Sequence, residues 1–458
     1  MNNIKQLKEY FFYKSNKLKI NSKDIVKGDV FLALPGKNSH GNVYISKALK
    51  NGASFVITDI IYKQKKNENI IVVKNLLKFI LLIAKQKRNL FKGKVIGITG
   101  SIGKTSVKEN LKYLLSINYN VSASIKSYNN YLGVLISLIN LDLKSDYAIF
   151  EIGTNNFSEI KKLTSIVKPM QAVVTNILPT HLENFINTKN IAKEKSDIFY
   201  SKYNPNIELL VTSNNNIDES YIIKKAVSYK LKKILTFGND NKSNLYVIQI
   251  REFDKSFIKI KIKYLKKNYE IILKKDQLNK INNILICFII FKFNRIKINN
   301  FLNFSKKIPL IEGRGLNHKI FFNNKKIRLI DESYNASPVS MKACILDFKN
   351  LKIKKNEKKI LILGEMKELG DSEITYHIEI LRLINEFNIK NAIICGQLMK
   401  IALDKIENIN KILFVANEKK MLNHLNKIIK ENDTIVIKGS NSSLTNKISS
   451  MLLNKGNK

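Results

Sequence analysis

The sequence predicts an α/β protein of three domains, and three observations carry that reading. First, short β-branched runs alternate with amphipathic stretches along most of the chain, the pattern of parallel sheets covered by helices. Second, "KVIGIT" (94–99) runs through a glycine-bearing loop, "GSIG", straight into a helical stripe at Val107, Leu111, Leu114 and Leu115. Third, "KKILILGE", "NAIICG", "KILFVAN" and "DTIVIKGS" recur late in the chain with helical stretches between them, as in a smaller doubly wound sheet.

Taken in order, "DVFLAL", "SFVITD" and "NIIVVKN" are the strands of a small first region, and "YISKALKNGA" is a helix closed by Gly52. A longer helix spans Leu76 to Leu90. In the central region "DYAIFEI" and "AVVTNI" join "KVIGIT" as buried strands. The third region begins near "IEGRGLNH", with "YHIEILRLINEF" and "KKMLNHLNKIIKEN" as its clearest helices. The expected domains are 1–92, 93–312 and 313–458, and a length of 458 residues fits two or three cores.

Composition excludes several classes. The longest apolar run, "ILICFIIFKF", falls short of the roughly 18 residues a membrane span needs, so no membrane insertion is expected. The N-terminus lacks the apolar core of a secretory signal. Cys287, Cys344 and Cys395 stand alone in apolar stretches, as buried thiols of a reduced cytoplasm do. The net charge of +42 comes from lysine spread along the whole chain, together with abundant Asn and Ile, and we attribute it to A/T-rich codons. With no aromatic platform or nucleic-acid motif beside it, it does not predict nucleic-acid binding.

The opening loop carries the first chemistry. Gly100 and Gly103 let backbone N–H groups approach phosphate oxygens, and the following helix N-terminus favours negative charge. Ser101 and Ser106 flank the cradle, Lys104 suits the β and γ phosphates, and Thr105 suits Mg²⁺. A strict Walker loop would place glycine at Ile98; here the glycines stand at Gly97, Gly100 and Gly103. Glu151 ends a hydrophobic strand, where a carboxylate can face a metal ion. His181 follows another strand in "TNILPTHLENF".

This loop, with the segments that follow it, resembles the Mur ligase family. "KSYNNYLGV" resembles the family's Asn-Asn segment that meets the uridine-linked substrate, at Asn129 and Asn130. Glu151, His181 and Lys195, the last in "IAKEKSDIF", match its metal-binding positions, Lys195 being the lysine that several members carbamylate. "DQLNKINNILI" resembles the adenine-reading helix, with Asn279 and Asn282 on one face and Leu278 where the family has histidine. "IEGRG" and "LIDESYNASP" resemble the start of the C-terminal domain, with Arg314 and Glu332 as ATP contacts. "INSKDIVKGDVFLALPGKNSHGN" resembles a uridine-binding segment, with Ser22 and Lys23 where Ser-Arg is usual, and Asn441 replaces a common arginine near the end.

The resemblance implies a small uridine-binding N-terminal domain, a central P-loop ATPase domain and a C-terminal Rossmann-like domain. It also implies ATP and Mg²⁺ as cofactors. "DESYNASP", "LGEMKELG" and His377 resemble the member that adds D-alanyl-D-alanine to UDP-N-acetylmuramoyl-tripeptide through an acyl phosphate, working as a cytoplasmic monomer. Two other readings remain open: a Mur-type amide ligase with a different amino-acid substrate, and a nucleotide-binding scaffold without catalysis.

Overall fold

The computed structural model describes residues 7, 9–12, 17–36, 39–61, 69–200, 202, 204–215, 217–311, 313–407 and 412–456. Glu312 of "IEGRG", where the expected central domain ends, lies outside them. Among the described residues the strands form three sheets.

In the first sheet β1 (Leu18–Lys19), β2 (Val30–Leu32), β3 (Phe55–Thr58) and β4 (Ile70–Val72) lie side by side in chain order, all parallel. The helix Ile45–Lys50 seals this sheet with Ile45 and Ala48 against Phe31 and Val56. Gly52, at φ +97°, reverses the chain after it, a conformation in which a side chain would be strained. Asn140 ties β1 to the rest of its unit, accepting from Leu18 N at 2.7 Å and donating back to Leu18 O at 3.0 Å.

The second sheet comprises β5 (Lys94–Thr99), β6 (Val121–Ala123), β7 (Tyr147–Glu151), β8 (Gln171–Val174), β9 (Leu209–Ser213), β10 (Ile234–Gly238), β11 (Leu245–Glu252), β12 (Phe257–Tyr264) and β13 (Lys267–Lys274). Their order is β13-β12-β11-β10-β9-β8-β5-β7-β6, so β5 stands between β7 and β8. That arrangement opens a crevice at the carboxyl end of β5, where ligands of such sheets bind. The apolar run 284–293 becomes most of the helix Ile281–Phe293, buried from Ile284 to Phe291, which explains why it is apolar all round.

The third sheet runs β14-β15-β19-β16-β17-β18, from β14 (Leu316–Phe322), β15 (Lys325–Glu332), β16 (Lys359–Leu363), β17 (Ala392–Ile394), β18 (Leu413–Phe414) and β19 (Thr434–Lys438). The last four are the strands the sequence predicts, and the antiparallel hairpin β14–β15 is an addition. Asn323 and Asn324, both at positive φ, make its two-residue turn, as asparagine does in tight hairpins. One core, around Leu361, Leu363 and Ile380, fills one face of the sheet, and another, around Ile360, Ile362 and Ile435, fills the other. This alternation along β16 is what a sheet covered on both sides requires.

The chain forms two compact units. One holds residues 1–176, 192–272 and 282–306; the other holds 177–191, 273–281 and 307–458. The second unit therefore takes in two short segments that precede the expected boundary at 312.

Within that second unit His377, fully buried on the helix Glu373–Glu386, accepts from Met366 N through Nε2 at 2.9 Å, and its Nδ1 lies 2.6 Å from Glu373 O. These partners fit a neutral ring protonated at Nδ1. Burial lowers its pKa from 6.5, against the raising effects of the Glu373 carbonyl and the Glu365 charge. Since the unfolded chain takes the proton first, stability is lost as pH falls from 6.5 through the lowered value. Urea midpoints measured across that window should fall less in His377→Gln, which keeps an acceptor, than in the parent.

Candidate active site

The phosphate loop is built by exclusion. β5 ends at Thr99, and Gly100 and Gly103 follow at φ +140° and +85°. A Cβ on Gly100 would lie 1.8 Å from Thr175 Oγ1, and one on Gly103 would lie 2.8 Å from Asn283 Oδ1. Gly100, where a Cβ would also press on Thr175 N at 2.9 Å, therefore requires glycine on conformation and on space, and Gly103 on conformation. The residues after β8 hold the loop from the other side: Asn176 accepts from Ser101 N at 3.1 Å and, through its side chain, from Ile102 N at 3.0 Å. Thr175 Oγ1 donates to Ile102 O at 2.6 Å.

The helix Lys104–Leu115 starts directly from this loop, with Val107, Leu111, Leu114 and Leu115 buried as the stripe predicts. Lys104 Nζ curls back to Gly100 O at 2.7 Å and Ser101 O at 3.1 Å. Its ammonium thus stands over the loop, where phosphate oxygens are expected. Ser101 and Ser106 are buried beside it.

Beside the loop stands a buried carboxylate. β7 pairs with β5 so that Glu151 is level with Ile98, just before the loop begins. Thr105 Oγ1 donates to Glu151 Oε2 at 2.7 Å, and Asn129 Nδ2 donates to Oε1 at 2.7 Å. The residue is 1% exposed. Among the described residues no lysine, arginine or histidine forms an ion pair with it. A buried carboxylate held only by neutral donors is the group a hard cation completes, and Thr105 adds a second oxygen ligand. These residues fit Mg²⁺, although among the described residues no cluster of three or more His, Cys, Asp or Glu forms a ready-made cage. Asn130 does something the sequence does not foretell: its side chain accepts from Gly133 N at 2.9 Å and caps the helix Tyr131–Ile139.

Lys195 is 2% exposed. Burial, reinforced by the charge of Lys104 and opposed by Glu194, holds its pKa well below the lysine range. A neutral amine is the nucleophile that carbamylation by CO₂ needs. Glu194, its neighbour, was not legible as a site residue. It accepts from Ser158 N and Ile160 N at 2.8 Å each and from Thr154 Oγ1 at 3.4 Å, capping the helix Glu159–Val167 from 34 to 40 residues away. No local signal in the sequence announces so distant a cap.

In the second unit His181 sits at φ +53°, with Nδ1 2.5 Å from Glu368 Oε2, close enough for an ion pair but misaligned for a hydrogen bond. The His181 contact holds the Glu368 carboxyl below its usual range. Burial would raise the Glu332 carboxyl, but Lys438, 3.0 Å away, and then Lys280 outweigh it and hold it low. The Arg314 guanidinium lies over the Tyr334 ring at 4.7 Å, and Arg314 O accepts from Lys280 Nζ at 2.6 Å.

One expectation needs correction. Asn279 and Asn282 do not lie on one α-helix: Asn279 belongs to a 3₁₀ segment, Lys275–Lys280, and Asn282 to the helix Ile281–Phe293 that follows it. Asn279 donates to Asp347, whose carboxyl burial and then Glu332 push up to about 6. Asn283, which the sequence reading passed over, is the residue that meets Gly103. Ser22 and Lys23 lie in a 3₁₀ turn capped by Asn21; Ser22 is buried, Lys23 is exposed, and Ser22 O accepts from Asn51 at 2.8 Å.

Comparison with known proteins decides the family. Residues 98–291 match the Mur ligase middle domain, and residues 320–441 match the domain described as Mur ligase, glutamate ligase domain. UDP-N-acetylmuramoyl-tripeptide--D-alanyl-D-alanine ligase of Rickettsia prowazekii is 33% identical over 443 residues, 94% of each chain. The chain belongs to the Mur ligase family. The enzyme of the same name from Buchnera aphidicola subsp. Baizongia pistaciae is 30% identical over 90% of this chain and 87% of its own. Among solved structures, MurF from Acinetobacter baumannii superposes with a TM-score of 0.78 at 23% identity, covering 96% of this chain and 93% of its own. MurF from Thermotoga maritima, in complex with ADP, gives 0.77 at 22%, covering 98% and 99%. As a Mur ligase the chain is an ATP-dependent amide ligase, and its mixed α/β fold with parallel sheets is the family's.

Gly100→Ala should weaken nucleotide binding severely, because no side chain fits against Thr175. Calorimetric titration with ADP should show affinity weakened at least about a hundredfold, roughly 3 kcal/mol. A uridine-substrate titration should be unchanged.

Proposed function

We propose that this chain joins D-alanyl-D-alanine to UDP-N-acetylmuramoyl-tripeptide with ATP, through an acyl phosphate. The observation that carries the reading is the match along nearly the whole chain, at 33% identity, to a relative bearing that name. The Thr105–Glu151–Asn129 chain of hydrogen bonds beside the loop supplies its chemistry.

A carboxylate cannot be displaced by an amine at neutral pH until its oxygen becomes a leaving group. Transfer of the γ-phosphoryl to the tripeptide carboxylate makes that leaving group, and attack by the dipeptide amine then forms the amide and releases phosphate. The repulsion between carboxylate and phosphate is the obstacle, so the protein's task is to place positive charge and N–H donors. Lys104 puts an ammonium over the loop, and Gly100 and Gly103 open the backbone to the phosphates. Mg²⁺, when bound, would be held by Thr105 and Glu151 and would neutralise charge on the reacting oxygens; family resemblance also gives metal-binding roles to His181 and to a carbamylated Lys195.

Family resemblance assigns Asn129, Asn130, Ser22 and Lys23 to the uridine-linked substrate. It assigns Asn279 and Asn282 to adenine, and Arg314 and Glu332 to the rest of the nucleotide. The domains are taken as 1–92, 93–312 and 313–458, and the protein as a cytoplasmic monomer that binds no nucleic acid.

Phosphate release should appear with ATP and UDP-N-acetylmuramoyl-tripeptide only when D-alanyl-D-alanine is added. Release that depends on another amino acid would select a different Mur-type ligase, and no release with any acceptor would select the scaffold. Lys104→Ala should lower kcat/KM by about a hundredfold or more, roughly 3 kcal/mol of transition-state stabilisation. Near-normal turnover in that variant would remove the loop assignment.

A further inference from the structure

One turn beyond Lys104 on the same helix, Lys108 has no part in the chemistry above. It is 0% exposed. Burying a lysine is costly unless every N–H finds an acceptor. Lys108 Nζ donates to Ser124 O at 2.9 Å and to Lys126 O, and it lies 2.9 Å from Glu109 Oε1. Those three acceptors match the donors an ammonium has.

The two carbonyls belong to the turn that leaves β6, and Lys126 holds a left-handed φ of +46° there. This turn reaches Glu151 twice. Ser124 Oγ accepts from Glu151 N at 2.9 Å, and Asn129 donates to the Glu151 carboxylate at 2.7 Å. Asn129 O also accepts from Gly153 N at 2.9 Å, and a Cβ on Gly153 would lie 2.7 Å from the Asn129 side chain. The segment 124–129 is therefore pressed against the end of β7, and a lysine from the phosphate-loop helix fastens its start.

We infer that Lys108 is a positioning residue: it clamps the 124–126 turn to the phosphate-loop helix so that Asn129 keeps the Glu151 carboxylate aimed at Thr105. It touches neither nucleotide nor substrate; it acts through Asn129. The inference rests on the ligase reading for its kinetics, but not for its binding measurement.

The test is a double-mutant cycle of Lys108→Met, which keeps length and loses the donors, with Asn129→Ala. Two quantities are followed in the full chain: kcat with saturating substrates, and the gain in ADP affinity that Mg²⁺ produces in calorimetry. Lys108→Met should lower kcat about tenfold or more, raise the Mg²⁺ concentration for half-maximal activity, and reduce the Mg²⁺-dependent gain, while ADP binding without Mg²⁺ holds. A merely structural lysine would not single out the Mg²⁺-dependent part. If Lys108 acts through Asn129, the double variant is no worse than the more severe single one. Additive losses, or a folded Lys108→Met with parental kcat and parental Mg²⁺ response, overturn the inference. If Lys108→Met does not fold, Lys108→Gln, which keeps donor N–H groups on a side chain one bond shorter, enters the same cycle, and intermediate values between parent and Asn129→Ala are expected. A parent with no dipeptide-dependent phosphate release rejects the ligase reading alone, because the calorimetric arm still decides the role of Lys108.

Discussion

The constraint on which the central site depends is a carboxylate buried between two neutral donors. Glu151 sits 1% exposed at the end of β7, and both of its oxygens are taken by neutral donors, Thr105 and Asn129. Neutral hydrogen bonds lower the cost of burying a charge but do not remove it. The rest of the region reads as a set of devices that keep this carboxylate in place. β7 must lie next to β5 for Glu151 to come level with the loop, so the chain has to cross from β5 to the outer strand β6 before it returns to β7. The helix that follows the loop must then present Thr105 toward β7 and Lys104 toward the loop, and successive helix positions separated by about 100° do so.

Much of this was legible because it is local. Strand, loop and helix signals lie within the 22 residues from Lys94 to Leu115, and the observed bounds of β5 and of the helix Leu76–Leu90 agree with the pattern read from the sequence. The segments that were not legible have partners far away in the chain. Glu194 caps a helix more than thirty residues upstream, and Lys108 binds carbonyls sixteen and eighteen residues downstream. A third class was visible but masked by composition. "FIKIKIKY" in β12 alternates with period two and buries Ile258, Ile260 and Ile262, as a strand with one wet face should. In a chain where lysine is everywhere, its polar half looks like solvated loop.

The same contrast separates the two adenine candidates. A spacing of three residues is a full turn of 3₁₀ helix and most of a turn of α-helix, so it does not by itself decide which partners Asn279 and Asn282 meet. Asn279 belongs to the 3₁₀ segment Lys275–Lys280 and Asn282 to the helix Ile281–Phe293. Asn279 then finds Asp347, which is 68 residues away and carries no motif of its own.

The lysine excess itself takes on a different meaning in the fold. A net charge of +42 suggests an ammonium-studded surface, yet several of these groups are turned onto backbone carbonyls. Lys87 meets Phe11 O, Lys280 meets Arg314 O, Lys325 meets Ile429 O, and Lys359 binds the carbonyls of Phe348, Lys349 and Leu351 at the end of the helix Pro338–Asn350. Helix C-termini carry partial negative charge and unpaired carbonyls, so a lysine there satisfies acceptors that would otherwise need water. A compact ammonium with three donors can collect several carbonyls from one point, which the planar guanidinium does less readily. The lysine excess therefore supplies the fold with carbonyl clamps. Lys108 differs from the others in the position of the carbonyls it holds, because they belong to the turn that carries Asn129 to Glu151.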